Sequence, residues 1–416
     1  MHMPLNATIE RINVSFKNNW NKPVHRWYRF HAGCSSDFPE KIISLLKIEQ
    51  GKTIMDPFTG SGTILVSAKE RGVNSIGIDI NPFYVFMAKV KTYWEFDMKY
   101  LFGNLKIFTE QIRLLSKKIN PCGEKSSQTV SNIPKYIWRY FNSDVLKILS
   151  TLKEAVLEFE DENIKDFLLF ALASILIDVS KVHYVGETIV FNKNTKTNNA
   201  QVYDIYINKI WEMYSDLEAK QHLRNKGTVE IRKADARNLK NLVPDESIDH
   251  VITHPPYLNN YNYLLRDRLP LFFLEYFKTL SDEKKMRELI VGSVTNNKAF
   301  AEPALNIQEF YEIVERVKNT GDVERYYAVL KYFHFMDLFL TDLHNKLKRN
   351  GYCAMLVGNS YIRGVMIPLD VIIAKLAEKS GFKVFANSMV RDRGNGAFQH
   401  LYNGRLYENI LILKRP

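Results

Sequence analysis

A strand, a glycine-rich turn, a helix and a second strand follow one another between residues 53 and 79. The first strand covers residues 53–56, the turn runs from Pro57 to Gly62, and the helix covers residues 63–70. The second strand, residues 75–79, ends in an acid. This order is a βαβ unit, which requires a parallel sheet with helices packed against it. The sequence therefore predicts an α/β fold.

Further strands are predicted after a helical, basic segment. Apolar residues recur at helical spacing between residues 93 and 226, which we interpret as an inserted helical subdomain. Residues 1–92 and 227–416 then form one core, and residues 285–330 form a second, smaller insertion within it. The later strands are predicted at residues 228–231, 249–253, 351–358 and 406–413.

Charge and cysteine content limit the partners and the compartment. The chain carries a net charge of +11, which favours a polyanion such as nucleic acid, although a basic enzyme without such a partner stays possible. Cys34, Cys122 and Cys353 show no C-x-x-C spacing, so neither a disulfide framework nor a zinc site is indicated. We find no leader segment and no run of 18 apolar residues, and therefore expect a cytoplasmic protein without a membrane span.

The glycine turn and two acids indicate a nucleoside cofactor. Glycines let a backbone approach a ligand closely, and ligands bind beyond the carboxyl ends of parallel strands. Asp79 lies 23 residues after Asp56, where an acid can accept hydrogen bonds from both ribose hydroxyls. Asp235 follows another predicted strand and either accepts a hydrogen bond from an adenine amino group or simply caps a turn. The turn reads D-P-F-T-G-S-G-T rather than G-x-G-x-x-G, which argues against a dinucleotide.

The segment His254-Pro255-Pro256-Tyr257 follows a predicted buried strand. Its two prolines fix the backbone and remove two N–H donors, so the local carbonyls remain as acceptors. A polar side chain and a carbonyl can together hold the two hydrogens of an amino group, and an aromatic ring at this offset can stack on a planar ring. A Pro-Pro turn that merely ends a strand is the alternative.

Taken together, these segments resemble the motifs of the DNA methyltransferases that modify adenine N6 or cytosine N4. The resemblance implies a class I, Rossmann-like sheet, mostly parallel with an antiparallel last strand, and S-adenosyl-L-methionine as the cofactor. It implies that Phe38 and Pro39 lie beside the methionine end of the cofactor, that Asp56 and the turn hold the methionine moiety, and that Asp79 and Asp235 bind ribose and adenine. The implied cofactor site is Phe38, Pro39, Asp56, Pro57, Phe58, Gly60, Ser61, Gly62, Thr63, Asp79, Asn81, Asp235 and Ala236. The implied catalytic site is His254, Pro255, Pro256 and Tyr257, with Tyr257 stacked on a flipped base.

One residue departs from the pattern of this family. His254 stands where Asp, Asn or Ser is usual, whereas Thr253 and residues 261–263 fit the cytosine-N4 branch. Neutral imidazole accepts one hydrogen bond and protonated imidazole accepts none, so we expect activity to fall below about pH 6.5. Cytosine N4 is favoured over adenine N6.

The basic insertion is the predicted target-recognition region for duplex DNA, with a restriction endonuclease as a possible partner. Phosphate contacts are predicted for Lys193, Lys196, Arg224, Lys226, Arg266 and Arg268. Three alternatives stay open: an RNA or tRNA amino-methyltransferase, a catalytically silent nucleic-acid-binding module, and a cytosine-C5 enzyme that uses the Pro121-Cys122 pair. We find no carboxylate cluster for a fused nuclease and predict no metal site.

Overall fold

A mixed seven-stranded sheet is the centre of the computed structural model, which describes residues 8–118, 133–185, 188–191, 199–258, 263–292, 301–393 and 405–416. The strands in chain order are β1 (Thr53–Asp56), β2 (Asn74–Asp79), β3 (Val182–Val185), β4 (Thr188–Phe191), β5 (Val229–Lys233), β6 (His250–Thr253), β7 (Tyr352–Gly358), β8 (Ser360–Ile362), β9 (Val365–Ile367), β10 (Lys383–Asp392) and β11 (Tyr407–Lys414). The helices are α1 (Asp37–Leu45), α2 (Thr63–Glu70), α3 (Pro82–Thr92), α4 (Met98–Lys118), α5 (Ser143–Leu157), α6 (Glu162–Ser174), α7 (Asn199–Lys220), α8 (Leu239–Leu242), α9 (Tyr263–Arg266), α10 (Arg268–Phe273), α11 (Leu280–Leu289), α12 (Gln308–Lys318), α13 (Val323–Lys346) and α14 (Leu369–Lys379).

The order of the strands in the main sheet is β10-β11-β7-β6-β1-β2-β5. Strands β7, β6, β1, β2 and β5 pair in parallel, and β11 runs antiparallel between β7 and β10. The predicted α/β class, with a mostly parallel sheet and an antiparallel last strand, is therefore confirmed. The chain builds outward from β1 to β2 and β5, then returns to β6 on the other side of β1, so the strand order reverses between β1 and β6.

Residues that alternate along the central strands are buried against helices on the two faces of the sheet. Met55 and Val251 pack with α13 and α14 on one face, while Ile54 and Ile252 pack with α1 and α2 on the other. This period of two is what β-strands between two helical layers require. The two faces together hold β1 and β6 rigidly at the centre of the sheet.

The segment between β2 and β5 is mainly helical. Helices α4 to α7 and the β3–β4 hairpin share a hydrophobic cluster with α3 and α10, centred on residues such as Phe167, Phe170 and Tyr206. The assignment of this segment to target recognition stays a prediction. No helix in the described ranges is long and apolar enough to cross a membrane.

Candidate active site

A cavity of about 310 Å³ lies beyond the carboxyl ends of β1, β2 and β6. Open α/β sheets bind ligands where the strand order reverses, because the loops that follow the two strands diverge there. The predicted residues that line this cavity are Asp56, Pro57, Phe58, Gly60, Ser61, Thr63, Asp79, Asn81, Asp235, Ala236, His254, Pro255, Pro256 and Tyr257. The fold thus brings the predicted cofactor and catalytic segments to one cavity.

A buried hydrogen bond joins the ends of β1 and β6. The Thr253 hydroxyl donates to Asp56 Oδ1 over 2.8 Å, and the backbone N–H of Phe58 donates to the same oxygen over 3.2 Å. Burial raises the pKa of Asp56 to about 7. Asp56 therefore ties the first turn to the strand that carries His254.

The glycine turn depends on two residues with positive φ. Gly60 has φ +49° and donates its N–H to Asp79 Oδ2 over 2.8 Å. Gly62 has φ +75° at the start of α2, and a Cβ there would lie 3.1 Å from the backbone of Ala88. Gly62 itself does not line the cavity, so its role is to let the turn pack closely against Ala88.

Asp79 and Asn81 present complementary polar groups to the cavity. Asp79 accepts from Gly60 N and, over 2.9 Å, from Asn81 N. A carboxylate has about four acceptor positions, so acceptor capacity remains for a ligand beside the backbone N–H groups of Gly60, Ile80 and Asn81. Asn81 caps α3 through its oxygen, while its buried Nδ2 has no hydrogen-bond partner among the described residues. Burial raises the pKa of Asp79 to about 6.

The position of Asp235 keeps open both of the roles that its sequence context suggested. It lines the cavity next to Ala236, and it also caps the turn at residues 236–238 by accepting from Arg237 N. The Arg237 guanidinium forms an ion pair with the same carboxylate. A ligand at Asp235 would therefore share this carboxylate with Arg237.

The predicted catalytic residues His254 and Tyr257 lie together at one end of the cavity, the predicted catalytic end. Their ring centroids lie 5.1 Å apart in an edge-to-face arrangement. Burial and the nearby Arg393 lower the pKa of His254 to about 4. The imidazole is therefore neutral at physiological pH. We expect activity to fall only as the pH approaches about 4, and not below pH 6.5 as the sequence suggested.

The two N-terminal residues predicted for the cofactor, Phe38 and Pro39, do not line the cavity. Phe38 is fully buried in the apolar cluster between α1 and the sheet. The segment just before it lines the cavity instead, at residues 30–34. The positions that the resemblance implied, Phe38 and Pro39, therefore belong to the core face of α1, and the role of residues 30–34 at the cavity stays a prediction.

Sequence reasoning also missed three charged residues, Arg391, Arg393 and Glu408, which line the catalytic end. They lie where β10 ends and β11 begins, and no local motif marks them. The available signal was the antiparallel last strand, because its first residues must lie at the same sheet edge as the carboxyl ends of the parallel strands.

Two of the predicted phosphate contacts have internal roles. Arg268 forms an ion pair with the buried Glu283, and the Arg266 guanidinium packs 5.0 Å from the ring centroid of Tyr184. Arg224 is exposed and Lys226 is half-buried, so both remain available as predicted contacts. Lys193, Lys196, the Pro121-Cys122 pair and residues 261–262 lie outside the described residues.

The cavity fits S-adenosyl-L-methionine on two observations. The orphan Asn81 Nδ2 and the remaining acceptor capacity of Asp79 match a ligand that carries both acceptors and hydroxyls. Phe58, Phe30 and Tyr84 supply apolar walls, as small-molecule sites require.

Comparisons with known proteins find similar sequences among methyltransferases. A family model described as DNA methylase, for N6 and N4 methyltransferases, matches residues 8–90. The chain is 26% identical to the type II methyltransferase M.BsoBI of Geobacillus stearothermophilus, over 98% of this chain and 89% of that protein. It is 23% identical to the type II methyltransferase M.AvaI of a Nostoc species, over 100% of this chain and 91% of that protein. A shorter match, 28% identical, covers 33% of this chain and 38% of a tRNA (guanine(10)-N2)-dimethyltransferase of Methanocaldococcus jannaschii.

Proposed function

We propose that this chain, which belongs to the amino-methylating DNA methylase family, methylates an exocyclic amino group of a base at specific sites in DNA. The observation that carries the proposal is the shared cavity, in which the glycine turn, Asp79 and the His254–Tyr257 segment meet. Similarity to type II methyltransferases along nearly the whole chain supports DNA as the substrate.

The cofactor site is formed by the turn and by β2. Asp79 would accept the two ribose hydroxyls, Asn81 Nδ2 would donate to an acceptor of the cofactor, and the turn at Asp56 would hold the methionine moiety. S-adenosyl-L-methionine supplies an electrophilic methyl group there. The carboxylate of Asp79 is ionised above its pKa of about 6, so its acceptors are available at neutral pH.

His254 and the Pro255 carbonyl would hold the target amino group. Neutral imidazole accepts one amino hydrogen and the carbonyl accepts the other, which turns the nitrogen lone pair toward the methyl group. His254 and the Pro255 carbonyl would hold the nitrogen while it takes the methyl group, and the methylated nitrogen would release one proton to solvent. His254 acts by orientation, because its pKa of about 4 makes it a poor base at pH 7.

The target base must leave the duplex to reach Tyr257. Flipping costs a few kcal/mol, and stacking on an aromatic side chain returns about 1–3 kcal/mol. Contacts to phosphate supply the remaining affinity, and the helical segment at residues 93–226 is the proposed recognition region. We favour cytosine N4 as the target, in restriction-modification or phage defence, because Thr253 and residues 261–263 fit that branch.

RNA is the second candidate substrate, on the partial match to a tRNA methyltransferase. The experiment that separates the two incubates the protein with methyl-labelled S-adenosyl-L-methionine and equal masses of mixed-sequence duplex DNA or tRNA. We expect label in DNA only. Label in tRNA alone would replace the proposal, and no transfer at all with intact cofactor binding would leave a silent binding module.

A further inference from the structure

Four residues at the catalytic end form an ion-paired cluster that we call the tyrosine clamp: Tyr257, Arg391, Arg393 and Glu408. The Tyr257 hydroxyl donates to Glu408 Oε1 over 3.2 Å. The Arg393 guanidinium carbon lies 5.1 Å from the centroid of the Tyr257 ring. Glu408 also pairs with both arginines, at 3.4 Å from Arg391 and 3.7 Å from Arg393. The tyrosine is thus held both at its hydroxyl and against its ring.

A β-bulge at Val390 delivers the arginines to the cavity. Asn387 and Asn409 both donate to Asp370 on α14, so the odd-numbered residues of this part of β10 face that helix. The register shifts between Met389 and Arg391, after which Arg391 lies opposite Glu408. An extra residue in one strand moves all later side chains to the other face. Without the bulge, Arg391 and Arg393 would face α14 instead.

Gly358 provides the space that the clamp needs. A Cβ at this position would lie 2.7 Å from Arg393 Nη2 and 3.0 Å from Tyr257 Cε2. Arg393 Nη2 also donates to the carbonyl of Asn359 over 2.7 Å. The end of β7 therefore anchors the guanidinium where it contacts the ring.

The charges of the cluster argue against a direct role in the chemistry. The amino nitrogen gains positive charge during methyl transfer, which nearby guanidinium groups oppose rather than stabilise. Their geometry instead orients the Glu408 carboxylate, whose side chain is 8% exposed, toward the tyrosine hydroxyl.

We infer that Glu408 is a positioning residue for base binding, which fixes Tyr257 in the orientation on which the target base stacks. This inference rests on the proposed function, since it takes Tyr257 as the stacking surface. Ordering a side chain before the ligand arrives reduces the entropy cost of binding. Loss of Glu408 therefore weakens DNA binding and leaves cofactor binding unchanged.

The test is a double-mutant cycle on Glu408→Met and Tyr257→Phe, read as KM for DNA, kcat and cofactor affinity. Methionine has a similar length but no acceptor oxygen. We expect each single variant to raise KM for DNA about tenfold, as loss of a hydrogen bond to a charged group implies. The double variant should match Glu408→Met within about twofold, because loss of the tyrosine hydroxyl adds nothing once its acceptor is gone. Glu408→Gln should restore most of the affinity, since its amide oxygen accepts the hydroxyl proton.

Glu378→Gln, at an exposed position of α14, is the matched control for loss of a carboxylate. Multiplied effects in the double variant, or a wild-type KM in Glu408→Met, would overturn the inference. If Glu408→Met does not fold, Tyr257→Phe decides alone, and a wild-type KM for that variant refutes the clamp. Absence of transfer to DNA by the wild-type protein would instead refute the proposed function.

Discussion

Replacement of Asp79 by Asn should weaken cofactor binding about 10- to 100-fold. The carboxylate accepts the N–H groups of Gly60 and Asn81 and keeps acceptor capacity toward the cavity. Asparagine retains one oxygen and places an NH₂ group where the other stood, so a donor then faces a backbone donor. At least one hydrogen bond to a charged acceptor is lost, which is worth about 1.5–3 kcal/mol.

Isothermal titration calorimetry with S-adenosyl-L-methionine and no DNA measures this loss directly. Burial raises the pKa of Asp79 to about 6, so wild-type affinity should also decline as the pH falls through that value and the acceptors are protonated. The Asn variant should lose the part of this pH dependence that is due to Asp79 and keep the part due to Asp56, whose pKa is about 7. Asp245→Asn, on an exposed carboxylate, is the matched control. A folded Asp79→Asn variant with the wild-type dissociation constant would refute the assignment.

Three further predictions concern the turn, the catalytic histidine and a buried lysine. Gly62→Ala should lower the free energy of unfolding by about 1–3 kcal/mol in thermal melts. The loss should exceed that of Gly51→Ala, because Gly51 has a similar φ but no atom within 4 Å of its Cβ position. Equal losses for the two variants would contradict a role for the contact with Ala88. In a pH–rate series, the ratio of the wild-type kcat to the His254→Asn kcat should stay constant down to about pH 5 and fall towards pH 4, as the imidazole becomes protonated. A fall in this ratio with its midpoint near pH 6.5 would contradict the lowered pKa of His254. Lys91→Met should raise the free energy of unfolding by about 1 kcal/mol, because burial lowers the lysine pKa to about 7 and no acid pairs with it in the described ranges. The charged form is the penalised one, so this gain should be largest below pH 7 in chemical denaturation and should fade as the pH rises towards 10.5; a gain independent of pH would contradict it.

The parts of the fold that follow from local chemistry were predictable from the sequence. The strand ending at Asp56 and the helix beginning at Thr63 were located correctly, because a glycine turn must separate them. The antiparallel last strand followed from the family resemblance and is confirmed by its pairing with β7.

The parts that depend on tertiary contacts were not predictable. The sequence suggested that Arg268 was available to contact phosphate, but in the fold it forms an ion pair with the buried Glu283. Arg391 and Arg393 face the cavity because of the bulge at Val390, and no pattern in the sequence predicts that bulge. The low pKa of His254 likewise results from burial rather than from its neighbours in sequence.

The most direct test of the central claim is the identity of the methylated nucleoside. The protein is incubated with S-adenosyl-L-methionine and mixed-sequence duplex DNA, the DNA is digested, and the nucleosides are separated by mass spectrometry. The account predicts N4-methylcytosine, while N6-methyladenine would keep the mechanism and reverse the base. 5-Methylcytosine, or no methylated nucleoside from a folded protein that binds the cofactor, would contradict amino methylation at the His254–Tyr257 segment.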